Sequence, residues 1–507
     1  MRITCVALPT LVLAAPSLWM LATLPPLWRD VDAYVQTTYP PGSETILLHA
    51  PLYCTISRIP LWLGYLANGG TIISFDRFLE HSQLTNPGVT TLIVLQHTAL
   101  CCAAFYLITA CAQNSLVRLC LAGFFAAQPM FYAFAQCVGS ETLSMILMLF
   151  FAGLAVRIVA HYPDVTPQQW IAATALLCCC ILTRKINIVL VALLPIVFTI
   201  LWLQRGLRVR PGNDWRCART TLVATALAML AVFWATSLTH ILCWRTRTPW
   251  RPKVGYTFLW RLNFLSTQSA TAREQLLERA AAKCKRDDSR MLLNFLGDWM
   301  SHNPVWLPQD FAPQAFAQLH AWHANNAEEN FDLALNEIAR VFLLPPAPPL
   351  YAVALRDFTF ATRRTQTDVA ISLVVSTGFF FDHRDKMPQF SHLRTFTMPR
   401  EQLVGVGRFG YLHWWSALDY RRWLVVTVAL LAVALILKDP RAAQDPGDAR
   451  IVFAICFASL GAVMLVLNCF LAAYADRFML PMMLSLLVAV IVILAALLDQ
   501  ICLRALK

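Results

Sequence analysis

The chain has 507 residues, 58% of them hydrophobic and only 14% charged, with a mean hydropathy of +0.55. Soluble domains are about 45–50% apolar and about 25% charged, so a single soluble core, a disordered chain and a disulfide-stapled miniprotein are all excluded. The 41 Lys and Arg against 29 Asp and Glu give a net charge of +12, and its distribution speaks for membrane topology rather than for nucleic acid.

Apolar runs long enough to cross a hydrocarbon core of about 30 Å recur along the chain. They predict about ten spans, at 3–24, 89–112, 116–136, 141–160, 168–183, 186–203, 220–243, 423–438, 451–473 and 478–500. The first follows Arg2 and resembles a signal peptide. Its apolar stretch exceeds the usual h-region of about 7–15 residues and runs into Pro-Pro-Leu-Trp-Arg, so it is read as an uncleaved span.

Lys and Arg in short loops set orientation. The loop 204–219 carries Arg205, Arg208, Arg210, Arg216 and Arg219 and is expected on the cytoplasmic side. Arg2, Arg118, Arg157, Lys438, Arg441, Arg450, Arg504 and Lys507 then fall on the same side. Both termini are therefore expected inside, with 25–88 and 244–422 outside. This divides the chain into an N-terminal transmembrane module (1–243, with its outer loop 25–88), an extracytoplasmic domain (244–422) and C-terminal transmembrane helices (423–507). Arg184, Lys185 and Arg477 run against the bias, at the outer surface. They read either as snorkelling anchors or as ligands of a phosphate-bearing molecule at the outer leaflet.

The first outer loop opens with Asp30 and Asp32, followed by Tyr34. Its stretch from Ile46 through His49 and Tyr53 to Tyr65 is apolar and aromatic but broken by Arg58 and Pro60, as in a helix lying along the interface. In 244–422, helical patterns occur at 271–300 and 327–342, and 345–349 (Pro-Pro-Ala-Pro-Pro) reads as a stiff connector. No repeat of fixed period and no Asn-x-Ser/Thr sequon is present.

Several motifs carry less than their spelling. Gly405–Gly410 matches GxGxxG without a strand–helix unit around it and reads as a loop. His320 and His323 lie near Glu328 and Glu329 but read as surface residues, so no metal site is assigned. Seven of the sixteen cysteines (Cys101, Cys102, Cys178, Cys179, Cys180, Cys456 and Cys469) sit in apolar runs as small hydrophobes, while Cys54, Cys243 and Cys284 lie where pairing outside the membrane is open. Glu141 opens a span at its outer end, either favouring the helix N-terminus or facing a cavity. Asp32, with Asp30 second, is the best candidate for a general base acting on an acceptor hydroxyl.

Five short motifs in order resemble the GT-C superfamily of integral-membrane glycosyltransferases, which includes protein O-mannosyltransferases and lipid A aminoarabinose transferases. They are Asp32 with Tyr34; His49, Pro51, Leu52 and Tyr53; Ser140, Glu141 and Leu143; Thr183 with Arg184, where Lys185 replaces a common Pro; and Arg477 with Pro481. The resemblance covers about two thirds of the chain and is poorest over the outer domain, which carries no oligosaccharyltransferase-type Trp-Trp-Asp. It implies an all-α polytopic bundle in a bacterial inner membrane, with interfacial helices in the first outer loop and a mainly helical extracytoplasmic domain. It further implies a polyprenyl-phosphate sugar donor, an acceptor that is a glycan, lipid or protein, and inversion at the anomeric carbon. Arg184, Lys185 and Arg477 would bind the donor phosphate. Asp32 would act as base, and Tyr34, His49, Tyr53 and Glu141 would line the cavity. A divalent metal ion assists the leaving phosphate in some members and stays open here. The rival expectations are a secondary transporter or flippase of an anionic or lipid-linked substrate, and a non-catalytic assembly protein.

Overall fold

A computed structural model describes residues 2–29, 31–40, 50–80, 82–206, 214–251, 253–303, 305–322, 327–382, 385, 390–399, 402, 418–436, 446–473 and 475–505. The described chain is almost wholly helical; two-residue strands at Leu27–Trp28 and Cys137–Val138, paired in parallel, form its one named sheet. Among the described residues, seven helices are long and apolar enough to cross a membrane, or eight if one bent pair is a single span. The chain is a multi-pass membrane protein of the all-α class.

The ten expected spans all overlap helix among the described residues, but Tyr420–Ile436 has only 17 residues and three others are not simple rods. The run at 116–136 is broken into Ser115–Ala126 and Pro129–Ala135, which meet at 68°. The cause is local: Pro129 disfavours α-conformation in the residue before it, and Gln128 is extended. Pro167–Thr183 is a helix of 17 residues, about 25 Å at the usual rise and so shorter than a hydrocarbon core. The next run starts as a 3₁₀-helix, Lys185–Ala192, and only then becomes α-helical, Leu193–Gly206. By contrast Asp214–Arg245 is one helix of 32 residues, with Trp215 and Trp244 at its ends 72% and 82% exposed.

The chain divides into two compact units. The first comprises Met1–Thr248, Arg363–Met464 and Met479–Lys507, and contains the long apolar helices. Its close packing relies on small residues. A Cβ on Gly64 would lie 2.1 Å from the Gly88 backbone, so Arg58–Ala67 rests directly on Asn86–Cys111. The segment expected as the first outer loop folds as short helices, Val31–Thr38, Pro51–Ile56, Arg58–Ala67 and Phe75–Glu80.

The second unit comprises Pro249–Thr362 and Leu465–Phe478. Its helices Ala270–Lys283, Asp287–His302, Pro308–Trp322 and Ala327–Leu343 enclose an apolar core that includes Leu293, Leu296, Phe311, Ala334 and Phe342. Inside it, Lys253 pairs with Asp332 at 2.8 Å, both side chains buried. The compact unit takes Pro249–Thr362 from the stretch 244–422. The helix Gln366–Asp382 belongs to the first unit because Trp28 N–H donates to Thr377 Oγ1 at 2.8 Å and Ser376 Oγ donates to the Arg29 carbonyl. Pro348 and Pro349, expected in a stiff connector, instead start the helix Pro348–Ala361, where their missing N–H groups cost nothing. The open pairing of Cys54, Cys243 and Cys284 is also settled: all three are buried free thiols, Cys284 within the second unit's core.

Candidate functional site

The irregular backbone between Pro129–Ala135 and Ser140–Ala160 builds the site. Non-helical backbone at membrane depth is tolerated only where its polar groups find partners inside the protein. Here side chains supply them. Gln96 Nε2 donates to the carbonyls of Ala135 and Cys137, both at 3.0 Å. Gln136 Nε2 donates to the carbonyls of Leu24 and Pro25, and its Oε1 meets His97 Nε2 at 2.9 Å. Because Oε1 can only accept, His97 holds its proton on Nε2, and Nδ1 accepts from Ser17 Oγ at 3.0 Å. Tyr53 Oη accepts the Gly139 N–H at 2.8 Å, and Gln36 Oε1 accepts the Ser140 N–H at 3.1 Å.

This framework fixes three charged side chains. The strand register pairs Leu27 with Cys137 and Trp28 with Val138, which carries Arg29 alongside Gly139. A Cβ at residue 139 would lie 3.1 Å from Glu141 Oε2, so glycine leaves the room that the carboxylate occupies. Glu141 sits in the first turn of its helix, 1% exposed, where a carboxylate is favoured by the unsatisfied N–H groups. Its Oε1 accepts from Arg29 Nη1 and lies 3.3 Å from Arg184 Nη1. Arg184 is the residue at which Pro167–Thr183 ends and the 3₁₀-helix begins. Asn187 locks that turn by donating to Ser144 Oγ and to the Cys180 carbonyl, each at 2.8 Å, which ties it to the helix of Glu141.

The remaining expected site residues separate into three groups. Tyr53 is buried within the framework, and burial pushes its phenol well above the usual value despite the bond from Gly139. Tyr34 packs edge-on against Phe390 with centroids 4.5 Å apart and against Tyr39 at 5.8 Å, so its ring braces the first loop. Lys185 is exposed beside Arg184, and Arg477, in the second unit, lies over the Phe478 ring at 5.4 Å. Asp32 is in the first turn of Val31–Thr38, one turn before Gln36, but its side chain lies outside the described residues. Asp30, His49, the Gly405–Gly410 loop and His323 also lie outside them; His320 is exposed.

Arg29, Gln36, Arg58 and Gln96 are the functional-site residues that sequence reading passed over. Arg58 is completely buried, yet its guanidinium is used on both sides: Nη1 donates to the Leu79 carbonyl at 2.7 Å, and Nη2 to the carbonyls of Gln36 and Tyr39. Burial lowers its pKa to about 10, against the upward pull of Cys54, so it stays charged at neutral pH. Cys54 itself is pushed up to about 11 by burial, partly offset by Arg58. The one hint in sequence was a set of polar residues (Gln96, His97, Gln128, Gln136) inside apolar runs, where each must find a partner.

A carboxylate held by two guanidiniums attracts an anion and repels a divalent cation, so the donor set at Glu141 does not fit a metal ion. No group of three His, Cys, Asp or Glu side chains that would hold one occurs elsewhere among the described residues. No protein-family model matches the chain, and no curated protein matches it significantly.

Proposed function

We propose that this protein is a membrane glycosyltransferase of the GT-C type, which moves a sugar from a polyprenyl-phosphate donor to an acceptor at the outer face of a bacterial inner membrane. One observation carries the reading: Arg29 and Arg184 converge on buried Glu141 at the N-terminus of a span, and the helix bearing Asp32 is fastened to that same N-terminus through Gln36.

In this reading the guanidiniums of Arg29 and Arg184 meet the lipid phosphate, with Lys185 as a further candidate. Glu141 keeps the two cations apart from bulk lipid and aimed at one place. Asp32 takes the proton from the acceptor hydroxyl as its oxygen bonds to the anomeric carbon. The bond from that carbon to the phosphate oxygen breaks, and its electron pair leaves on the phosphate. Fixed cations stabilise this growing negative charge more than they stabilise the bound donor, which is what lowers the barrier. Inversion at the anomeric carbon is what the resemblance to the GT-C superfamily implies.

The test uses the full chain in nanodiscs with a radiolabelled decaprenyl-phosphate sugar and membrane extract as acceptor source. Asp32→Asn should bind decaprenyl phosphate normally and lose about 10²–10⁴ in transfer rate, as for a lost general base. Wild-type transfer by Asp32→Asn sinks the assignment. The break at Gln128–Pro129 favours one second reading, a flippase for the same class of lipid, because transporters use discontinuous helices at their binding sites. Labelled lipid that reaches the opposite leaflet unaltered, with no label on any acceptor, would select it.

A further inference from the structure

The segment expected as the first outer loop contains a clamp built by Gln36 and Arg58. Gln36 is 1% exposed and Arg58 is fully buried. Gln36 uses both of its acceptors: the side-chain Oε1 takes the Ser140 N–H at 3.1 Å, and the backbone carbonyl takes Arg58 Nη2 at 3.4 Å. Arg58 also binds the Tyr39 carbonyl just beyond the same helix and, at 2.7 Å, the Leu79 carbonyl at the end of Phe75–Glu80. A guanidinium therefore sits where two short helices end, the place where their unsatisfied carbonyls favour a cation. An amide acceptor meets the opposite kind of terminus, the N–H groups opening Ser140–Ala160.

From this we infer that Gln36 and Arg58 are positioning residues: together they set the helix that carries Asp32 at a fixed offset from the N-terminus that carries Glu141. The inference rests on the reading above. A helix of only eight residues has little stability of its own, so its place is dictated by what holds its ends. Its C-terminal half is held by Arg58 and Gln36, and the residues leading into it by Ser376 and Thr377 on the Trp28–Arg29 backbone. Asp32 lies between these two grips. Loosening either one shifts the proposed base relative to the proposed phosphate site without removing a charge from that site.

The experiment is a double-mutant cycle on the full chain in nanodiscs, using Gln36→Met, Asp32→Asn and both together. Transfer kcat, KM for the decaprenyl-phosphate sugar and affinity for decaprenyl phosphate are measured separately. Gln36→Met leaves the Ser140 N–H without its acceptor and should lower kcat about tenfold, with KM and phosphate affinity held within about twofold. In the Asp32→Asn background the same change should cost nothing further, since there is no base left to misplace. Losses that multiply, or that fall on phosphate affinity, mean that Gln36 is structural and overturn the inference.

A second arm does not need turnover. Hydrogen exchange of the Ser140 amide should accelerate in Arg58→Met, although Arg58 does not touch Ser140, and the amides of 33–38 should accelerate with it. Ser140 exchange unchanged in Arg58→Met shows that the two ends are not coupled and also overturns the clamp. Absence of transfer in the wild type, with coupled exchange preserved, overturns the glycosyltransferase reading and leaves the clamp standing.

Discussion

Glu141, Arg29 and Arg184 carry one positive charge between them, and their energetics and their chemistry pull in opposite directions. Glu141 separates two guanidiniums that would otherwise repel each other in a low-dielectric setting. Removing one partner of a buried charged cluster typically costs about 3–5 kcal/mol. Glu141→Gln should therefore lower the melting temperature while tightening decaprenyl-phosphate binding, because the cations lose their competing anion. Saturating decaprenyl phosphate should recover much of the lost stability through linkage. A thermal-shift titration in detergent reads both effects, and a variant that loses stability and affinity together excludes an anion site. Glu141 and Arg184 were legible in sequence because each is a charge at an unexpected place. Arg29 was not, because its role depends on a strand register joining residues more than a hundred positions apart.

Elements were legible where composition alone decides them. Each expected span is helical, since an apolar run of sufficient length has few other solutions in a bilayer. The bend at Gln128–Pro129 was written in the sequence as a residue before proline, but apolar periodicity runs straight across it. What could not be read was the place of Gln366–Asp382, within the stretch 244–422 expected as one extracytoplasmic domain. Two hydroxyls, on Ser376 and Thr377, fasten Gln366–Asp382 to the chain near Arg29, and no local pattern announces such a contact. The irregular stretch 135–139 depends in the same way on Gln96. Gln96→Leu takes a donor from both carbonyls; Cys137 keeps Thr142 Oγ1 at 3.1 Å, so Ala135 is the buried group left short, at about 1–3 kcal/mol. The expected result is a loss of about 1–3 kcal/mol in reversible unfolding; a loss under about half a kilocalorie per mole would mean that water replaces the amide.

At the scale of the molecule, the two units answer to different variables. The second is tuned by pH through Glu337. Burial pushes this carboxyl up, but Ser289 Oγ and the N–H groups of Lys285 and Arg286 outweigh burial and hold it below the usual carboxylate value. A carboxyl depressed in the folded state stabilises it above the unfolded pKa of about 4.3 and loses that contribution as pH falls through the folded pKa. Hydrogen exchange at Lys285 and Arg286 should thus quicken, after correction for intrinsic rates, as pH drops below about 4. In Glu337→Gln it should be fast already at neutral pH and lack that step. The first unit answers to the membrane. A cysteine introduced at 210 should react with a thiol reagent only from the cytoplasmic side, and one at 320 only from outside; the reverse pattern at 210 would discard the whole topological scheme.

The helix Asp214–Arg245 gives that membrane a thickness. Trp215 and Trp244 stand about 43 Å apart along it at about 1.5 Å per residue, the distance between the two headgroup layers of a bilayer of about 40–45 Å. The 3₁₀-helix that opens at Lys185, next to Arg184, packs against this helix. The helix thus works as a gauge. Where the bilayer is thinner, tilt must take up the difference, and the tilt lifts the Arg184 turn relative to the phosphates around it. Lipid chain length, with no change in headgroup or protein, should then shift how deeply the turn at Arg184 sits.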